Sequence, residues 1–455
     1  MKIQIYDTKT REPKEVASRD GVVNIYCCGP TVYRDAHVGN LRTFLLSDLV
    51  ARALECAGHS VRLVQNITDV GHMSEDVAAE DKILAQSASE SVSPFEIARK
   101  YEDRFHKDLL ALNIQKASMY PRASETIELI IQSISKLIAA GNAYVGGDGS
   151  VYFNAKSFPG YGDISGNRLD ALKPGHRYEY TDDGEKAFHA DWALWKAAGA
   201  RTQMVWESPW GLGFPGWHIE CTAMSLEFLN AHVDVHVGGI DLRFPHHENE
   251  RAQSNSITGN EVVDLWVHGE HLLFEGRKMS KSAGNVVLLN DIVAKGLDPL
   301  ALRLVLLENR YRSQMDLTWK SLETAHETLK RWRKLANAWG NSDEVVLDGE
   351  LFKAIANDLD TPRALQRVRG IEKDSNLTDA QKRAAFLGAD RILGLDLARR
   401  EVLKPLAPNQ EELLAQRQAA RSEKNWSESD RLRVELEMTG LEIEDSRDGQ
   451  SWSWR

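Results

Sequence analysis

Two stretches of this 455-residue chain carry residue types suited to holding a polyphosphate. Cys28-Gly29-Pro30-Thr31-Val32-Tyr33 leads into His37-Val38-Gly39-Asn40 at a predicted helix start. Free amides at a helix N-terminus attract phosphate, and Gly39 lets a nucleotide approach the backbone closely. His37 is placed to donate a hydrogen bond to a phosphate oxygen; taken alone, it reads equally well as a histidine capping a turn. Far downstream, Lys278-Met279-Ser280-Lys281-Ser282, followed by Ala283-Gly284-Asn285, sets two lysines three residues apart among small residues. A loop of that composition suits clamping phosphate while charge builds up in a transition state. By itself a Lys–Ser string is more often a solvated basic turn. The GxxxxGK spacing of a Walker loop is absent.

The second chemistry is metal ligation. Cys27, Cys28, Cys56 and Cys221 are the only cysteines, too few and scattered for a disulfide framework, which leaves metal ligands or reactive thiols. His246 and Glu250 stand i, i+4 on a predicted helix and project from one face. Two cysteines, a histidine and a carboxylate form a credible zinc set. Buried cysteines are usually inert hydrophobes, and Cys27 and His247 compete as ligands.

The elements that must position these groups read as an α/β protein. Gly21–Tyr26 reads as a short buried strand, the apolar residues from Leu45 to Leu54 recur with helical period, and Val61–Ile67 is the next strand. Such a βαβ unit predicts a Rossmann-type, doubly wound parallel sheet with ligands outside the carboxyl ends of its strands. Residues 88–142 read as mostly helical. A hairpin is expected at Ala143–Val145 and Val151–Phe153, whereas 155–216 is rich in Gly, Pro and Trp with little periodicity. A second α/β signature opens at Val233–Val237, with a helix starting near Pro245. From about 290 to 400 the pattern is helical, and Leu403–Pro408 reads as a linker to a small charged module.

Composition narrows the class. Hydrophobic residues make up 42% and charged residues 27%, the balance of a soluble globular protein. The net charge of -11 argues against a generic nucleic-acid coat, though not against a local RNA grip. No apolar run approaches the roughly 18 to 20 residues of a membrane span, and the N-terminus has no apolar signal core, so a cytoplasmic location is expected.

HxGN after a first strand and KMSKS downstream resemble the two signatures of class I aminoacyl-tRNA synthetases. YCCGPTVY at 26–33, NITD at 66–69, PGWHIECTAMS at 215–225, DVHVGGIDLRFPHHENERAQS at 234–254 and NDLDTPRAL at 357–365 narrow the resemblance to the cysteinyl-tRNA synthetases, over essentially the whole chain. The resemblance implies ATP-dependent activation of L-cysteine to cysteinyl adenylate and transfer to the 3′ end of tRNA(Cys), by a monomer. It aligns Cys28, Cys221, His246 and Glu250 with the ligands of one zinc ion, which leaves out Cys27 and His247, the latter about 100° around the helix from His246, and Mg²⁺ would arrive with ATP. It puts Cys28, Gly29, Thr68, Trp217, His236 and Asp241 around the cysteine, with Asp241 suited to the ammonium and Trp217 walling the pocket. His37, Gly39, Asn40, Lys278 and Lys281 fall to ATP, and His37 and Lys281 to catalysis. Asn40 stands where many class I enzymes have a second histidine, and Asp69–Met73 departs from the acidic run expected after NITD.

The implied organisation is a catalytic domain in two halves, 1–114 and 216–290, around an insertion at 115–215. A helical bundle with the stem contact follows at 291–405, then a C-terminal anticodon-binding module at 406–455, where Trp426, Arg431, Arg433, Trp452 and Trp454 offer stacking and charge. Lys330, Arg331, Arg333 and Lys334 around Trp332 read either as an RNA patch or as a solvated helix face. A rival is a cysteine ligase acting on a small-molecule amine, as in the mycothiol pathway, which shares the catalytic half; the long C-terminal extension argues against it. The zinc has a purpose: a pocket reading shape separates cysteine from serine by only about 1–3 kcal/mol, whereas translation needs roughly 10⁴–10⁵. Four protein ligands normally mark a closed structural site, so a weakly held Glu250 or a fifth ligand is expected.

Overall fold

The computed structural model describes residues 2–18, 21–70, 81–173, 185–279, 284–400, 406–446 and 449–454. They form two compact units, 1–398 and 399–455.

The first unit opens with a hairpin, β1 (Gln4–Asp7) against β2 (Glu12–Glu15). Then β3 (Val22–Cys27), α1 (Val38–Cys56) and β4 (Ser60–Gln65) make the expected parallel βαβ unit. After α2 (Lys82–Glu90), α3 (Pro94–Ala111) and α4 (Ile127–Ala139) comes an antiparallel sheet of β5 (Ala143–Val145), β6 (Val151–Phe153), β7 (Trp192–Ala197) and β8 (Gly213–Pro215), in that order. α5 (Trp217–Phe228), β9 (Val233–Gly239), α6 (His246–Thr258) and β10 (Val263–Gly269) return the chain to the parallel sheet, whose order is β10-β9-β3-β4. All seven residues of β9 are buried. Val233, Val235 and Val237 alternate with Asp234 and His236 along it, so the polar face is buried too, as in a parallel strand covered on both faces.

The topology switches direction between β3 and β9. From β3 the chain crosses through α1 to β4 on one side, while β9 lies on the other side of β3. At such a point the carboxyl ends of adjacent strands part and leave a crevice. Cys28 follows directly from β3, and its amide donates to Val237 O of β9 at 3.2 Å.

A second core lies between the antiparallel sheet of β5 to β8, α4, α5 and α6: Phe153 stacks on Trp192 at 4.4 Å between ring centroids, and Ile134, Ile219 and Ala252 join them. β7 and β8 lie inside the stretch whose periodicity gave no sign of strands: β8 spans three residues, too short to show an alternation, and β7 carries tryptophans on both parities.

Beyond the parallel sheet, β11 (Leu272–Phe274) pairs antiparallel with β12 (Arg277–Lys278) and parallel with β13 (Met315–Leu317), which is reached through α7 (Leu289–Ala294) and α8 (Pro299–Leu307). α9 (Trp319–Ala338), α10 (Gly349–Ala356), α11 (Thr361–Lys373) and α12 (Asp379–Leu393) complete the unit as helices. On α9 the buried residues Leu322, Ala325, Leu329, Trp332, Arg333 and Ala336 form the core-facing stripe. Of the basic run at 330–334, Lys330, Arg331 and Lys334 lie exposed. Trp332 is wholly buried, and Arg333 is bound by Asp298 at 2.6 Å and the Leu395 and Asp396 carbonyls. The second unit packs α13 (Pro408–Ser422) and α14 (Trp426–Met438) with a hairpin of β14 (Leu441–Ser446) and β15 (Gly449–Trp454) around Leu414, Leu436, Leu441 and Ile443.

Candidate active site and metal centre

Four sequence-predicted ligands converge at the switch point. One ligand atom each from Cys28, Cys221, His246 and Glu250 lies within 4.8 Å of the others, and all four residues are buried. Cys28 leaves the end of β3, Cys221 lies in the second turn of α5, and His246 and Glu250 share one face of α6, as their i, i+4 spacing requires. Cys28 Sγ stands 3.5 Å and His246 Nε2 2.9 Å from Glu250 Oε1. The histidine contact is not aligned as a hydrogen bond, so this buried nitrogen has no hydrogen-bond partner. Its other nitrogen, Nδ1, is 2.8 Å from His218 Nδ1, an outer contact that fixes which ring edge faces the cluster.

The electrostatics are those of a crowded, buried cluster: burial, with Cys221 and Glu250 beside it, pushes the Cys28 thiol well above its usual range. A hydrogen bond from Cys28, with help from His246, outweighs burial and pulls the Cys221 thiol down to about 6. Burial disfavours the His246 imidazolium, but the Glu250 carboxylate and Cys221 sulfur outweigh it and raise its pKa to about 10. Burial also works against a charged Glu250, yet His236 and His246 hold its carboxyl well below the usual range. A soft, soft, borderline and hard donor set of S, S, N and O fits zinc.

His247, set aside from the helix angle, is drawn in. Its Nε2 lies 3.4 Å from Cys28 Sγ, and Cys28, His236, His247 and Glu250 form a second quartet within the same 4.8 Å. The room comes from Gly238, where a Cβ would lie 2.5 Å from the His247 ring. Both histidines of this quartet have other engagements: His236 Nε2 is 2.9 Å from Glu250 Oε2, and His247 Nδ1 is 2.8 Å from His268 Nε2. Across the sheet Tyr26, His236 and Trp266 lie side by side in register, and His236 stacks on Trp266 at 4.7 Å.

Of the residues expected around cysteine, Cys28 is a member of the cluster, and Trp217 and His236 touch it. The Trp217 ring is 4.4 Å from that of His246. Thr68 is buried, its hydroxyl donates to Glu220 Oε2 at 3.1 Å and accepts from Asn66 Nδ2 at 3.1 Å. Gly29 is required by packing, since a Cβ would fall 1.6 Å from Asn66 O, and its amide donates to Asn66 Oδ1 at 2.8 Å. Asp241 lies exposed in a short 3-10 turn after β9. Glu220 and His218 are neighbours of the site that spacing alone does not single out, although both stand in the PGWHIECTAMS segment.

At the head of α1, His37 is the N-cap in a reciprocal box: its Nδ1 accepts from Asn40 N at 3.2 Å, and its own amide donates to Asn40 Oδ1 at 3.3 Å. An Nδ1 that accepts places the ring proton on Nε2, leaving that edge to donate. Burial, aided by Arg34, lowers its pKa to about 4, so the ring is neutral at physiological pH. A Cβ on Gly39 would meet the His37 ring at 3.0 Å and Met279 Cε at 3.1 Å, so the two phosphate motifs touch there. Lys278 is exposed on β12, and its carbonyl accepts from Asn285 Nδ2 at 3.1 Å. Lys281 lies outside the described residues.

Comparison with known proteins agrees over the whole length. Residues 14–327 match the family model of the tRNA synthetases class I (C) catalytic domain, and 403–452 that of the cysteinyl-tRNA ligase anticodon binding domain. The chain is 41% identical over 483 residues to a cysteine–tRNA ligase of Thermus thermophilus, covering 99% of both. It is 41% identical to cysteine–tRNA ligase 1 of Burkholderia lata, with 99% of this chain and 96% of the other covered. In fold it resembles Mycobacterium tuberculosis methionyl-tRNA synthetase in complex with methionyl-adenylate, with a TM-score of 0.55 at 16% identity over 82% of this chain and 90% of that one. It also resembles the LeuRS of an Agrobacterium radiobacter ternary complex, with a TM-score of 0.60 at 10% identity over 83% and 84%.

Proposed function

The chain belongs to the cysteine–tRNA ligases, a class I aminoacyl-tRNA synthetase family, and from that premise we propose how its own residues carry the reaction. Cys28, Cys221, His246 and Glu250 hold one zinc ion. Bound there, zinc would supply a Lewis acid that strongly prefers a thiolate to an unionised hydroxyl, the one chemical difference between cysteine and serine. The observation that carries this reading is His246 Nε2, buried without a hydrogen-bond partner and facing two thiols and a carboxylate. It favours this quartet over the one containing His236 and His247, whose role is to hold Glu250 and Cys28 from behind. Elemental analysis tests it: one zinc per chain in active protein is expected, and active protein without zinc would overturn it.

Trp217 and Thr68 wall the cysteine, Gly29 keeps the crevice floor low, and Asp241 accepts from the substrate ammonium. The attacking carboxylate is already ionised, so adenylate formation needs no general base; alignment and charge stabilisation lower its barrier. His37 donates through Nε2 to a phosphate oxygen of ATP, Gly39 and Asn40 shape that end, and Lys278 and Lys281 neutralise charge on the leaving pyrophosphate. Mg²⁺ accompanies the nucleotide. Transfer to the 3′ end of tRNA(Cys) follows, with the terminal unit reading the anticodon. The enzyme works as a monomer in the cytoplasm; among the described residues no helix is long and apolar enough to cross a membrane.

A further inference from the structure

Arg42 lies two residues beyond the Asn40 of the phosphate motif, on α1, and is 5% exposed. Its guanidinium is spent on backbone carbonyls rather than on a carboxylate. Nη1 donates to Glu270 O at 2.6 Å and His271 O at 2.9 Å. Nη2 donates to Ser313 O at 2.8 Å and to Arg310 O and Tyr311 O at 3.3 Å each. Burial draws its pKa down to about 10, which leaves it charged at neutral pH.

The five carbonyls are not scattered. Glu270 and His271 immediately precede β11, and Arg310 to Ser313 lie just ahead of β13. These two strands pair with each other, and β11 also pairs with β12, which carries Lys278 into the lysine loop. One side chain on α1 therefore clips the backbone ahead of both parallel strands of the small sheet from which that loop springs. The far end of the loop is tied to the same helix by backbone alone: Val38 N donates to Val287 O at 3.0 Å, and His37 bridges Leu288. A buried guanidinium is costly unless its donors are met, and here five carbonyls meet them, so an apolar side chain in its place would leave carbonyls without a donor. What the guanidinium adds is position, because its rigid planar fork fixes direction as well as distance.

We propose that Arg42 is a positioning residue for adenylate formation: it fixes β11 and β12, and with them Lys278, relative to His37 at the head of α1 without touching substrate. The inference rests on the roles given above to His37 and the loop lysines. The test is single-turnover adenylate formation by the full chain carrying Arg42→Lys or Arg42→Met, with Lys281→Ala measured beside them. Arg42→Met should slow the chemical step by about 10- to 100-fold, the scale of a displacement near 1 Å. Its KM for cysteine should stay within about 2-fold and its zinc content unchanged. Arg42→Lys keeps the charge and reaches only some of the carbonyls, so it should fall between that variant and the parent. If Arg42→Met does not fold, Arg42→Lys decides alone. A folded Arg42 variant with parental adenylate rate, even with a lowered Tm, overturns the proposal when Lys281→Ala is slow. Parental rates in all three variants would instead overturn the phosphate roles on which it rests.

Discussion

Cys221 is the ligand whose replacement separates the two readings of the metal. Cys221→Ser keeps the shape of α5 and removes a soft donor from the quartet, so zinc affinity should fall. Cysteine recognition should suffer far more than ATP recognition. The ratio of cysteine- to serine-dependent pyrophosphate exchange measures this, and an unchanged ratio in a folded variant would reduce the metal to a structural part. His37 makes a pH prediction. Its pKa is about 4 in the fold against about 6.5 in an unfolded chain, so protons bind the unfolded state first. The stability it contributes is full above about pH 6.5 and declines as pH falls towards 4. The loss of Tm between pH 7 and pH 4.5 should therefore be smaller in His37→Gln than in the parent; an equal loss would contradict the pKa argument. Much of the site was legible at this scale, since the i, i+4 pair and the two cysteines converge. His247 was not, because a helix angle cannot show that Gly238 leaves space for its ring across the sheet. The need for Gly29 was also hidden, since its reason is the Asn66 carbonyl beyond a neighbouring strand.

Among the elements, the loop between β12 and α7 carries the clearest consequence. Lys281→Ala should slow adenylate formation by something like 10²–10³, the scale of losing one transition-state charge partner. Ground-state cysteine affinity should change little, because the lysine serves phosphate; pre-steady-state kinetics distinguish the two. A variant with normal chemistry and weakened cysteine binding would show the loop to be misassigned. The βαβ unit, the hairpin at 143–153 and the helix after Pro245 could be read from period and turn residues. β7, β8 and β13 could not, since three-residue strands and aromatic-rich segments owe their pairing to distant partners. The same limit hid Arg333 on α9: a run of basic residues looks alike in sequence whether all of it faces outwards, as Lys330, Arg331 and Lys334 do, or one member reaches buried carbonyls.

On the scale of the whole molecule the two compact units should separate two activities. The terminal unit has its own small core and its own charge knot, in which buried Arg417 grips Asp445 through two bonds of 2.9 Å. Trp426 on that unit is 57% exposed, available for stacking. A chain ending near Pro405 should retain cysteine-dependent pyrophosphate exchange and lose most tRNA charging. Charging equal to that of the full chain would contradict the anticodon role. The central claim is that cysteine is told from serine at the cluster of Cys28, Cys221, His246 and Glu250. It is tested most directly by replacing the zinc with Co²⁺ and recording the absorption spectrum while amino acid is added. L-cysteine should strengthen the sulfur-to-cobalt charge-transfer bands and L-serine should leave them unchanged. Identical spectra with both amino acids, in enzyme that still activates cysteine, would contradict the account.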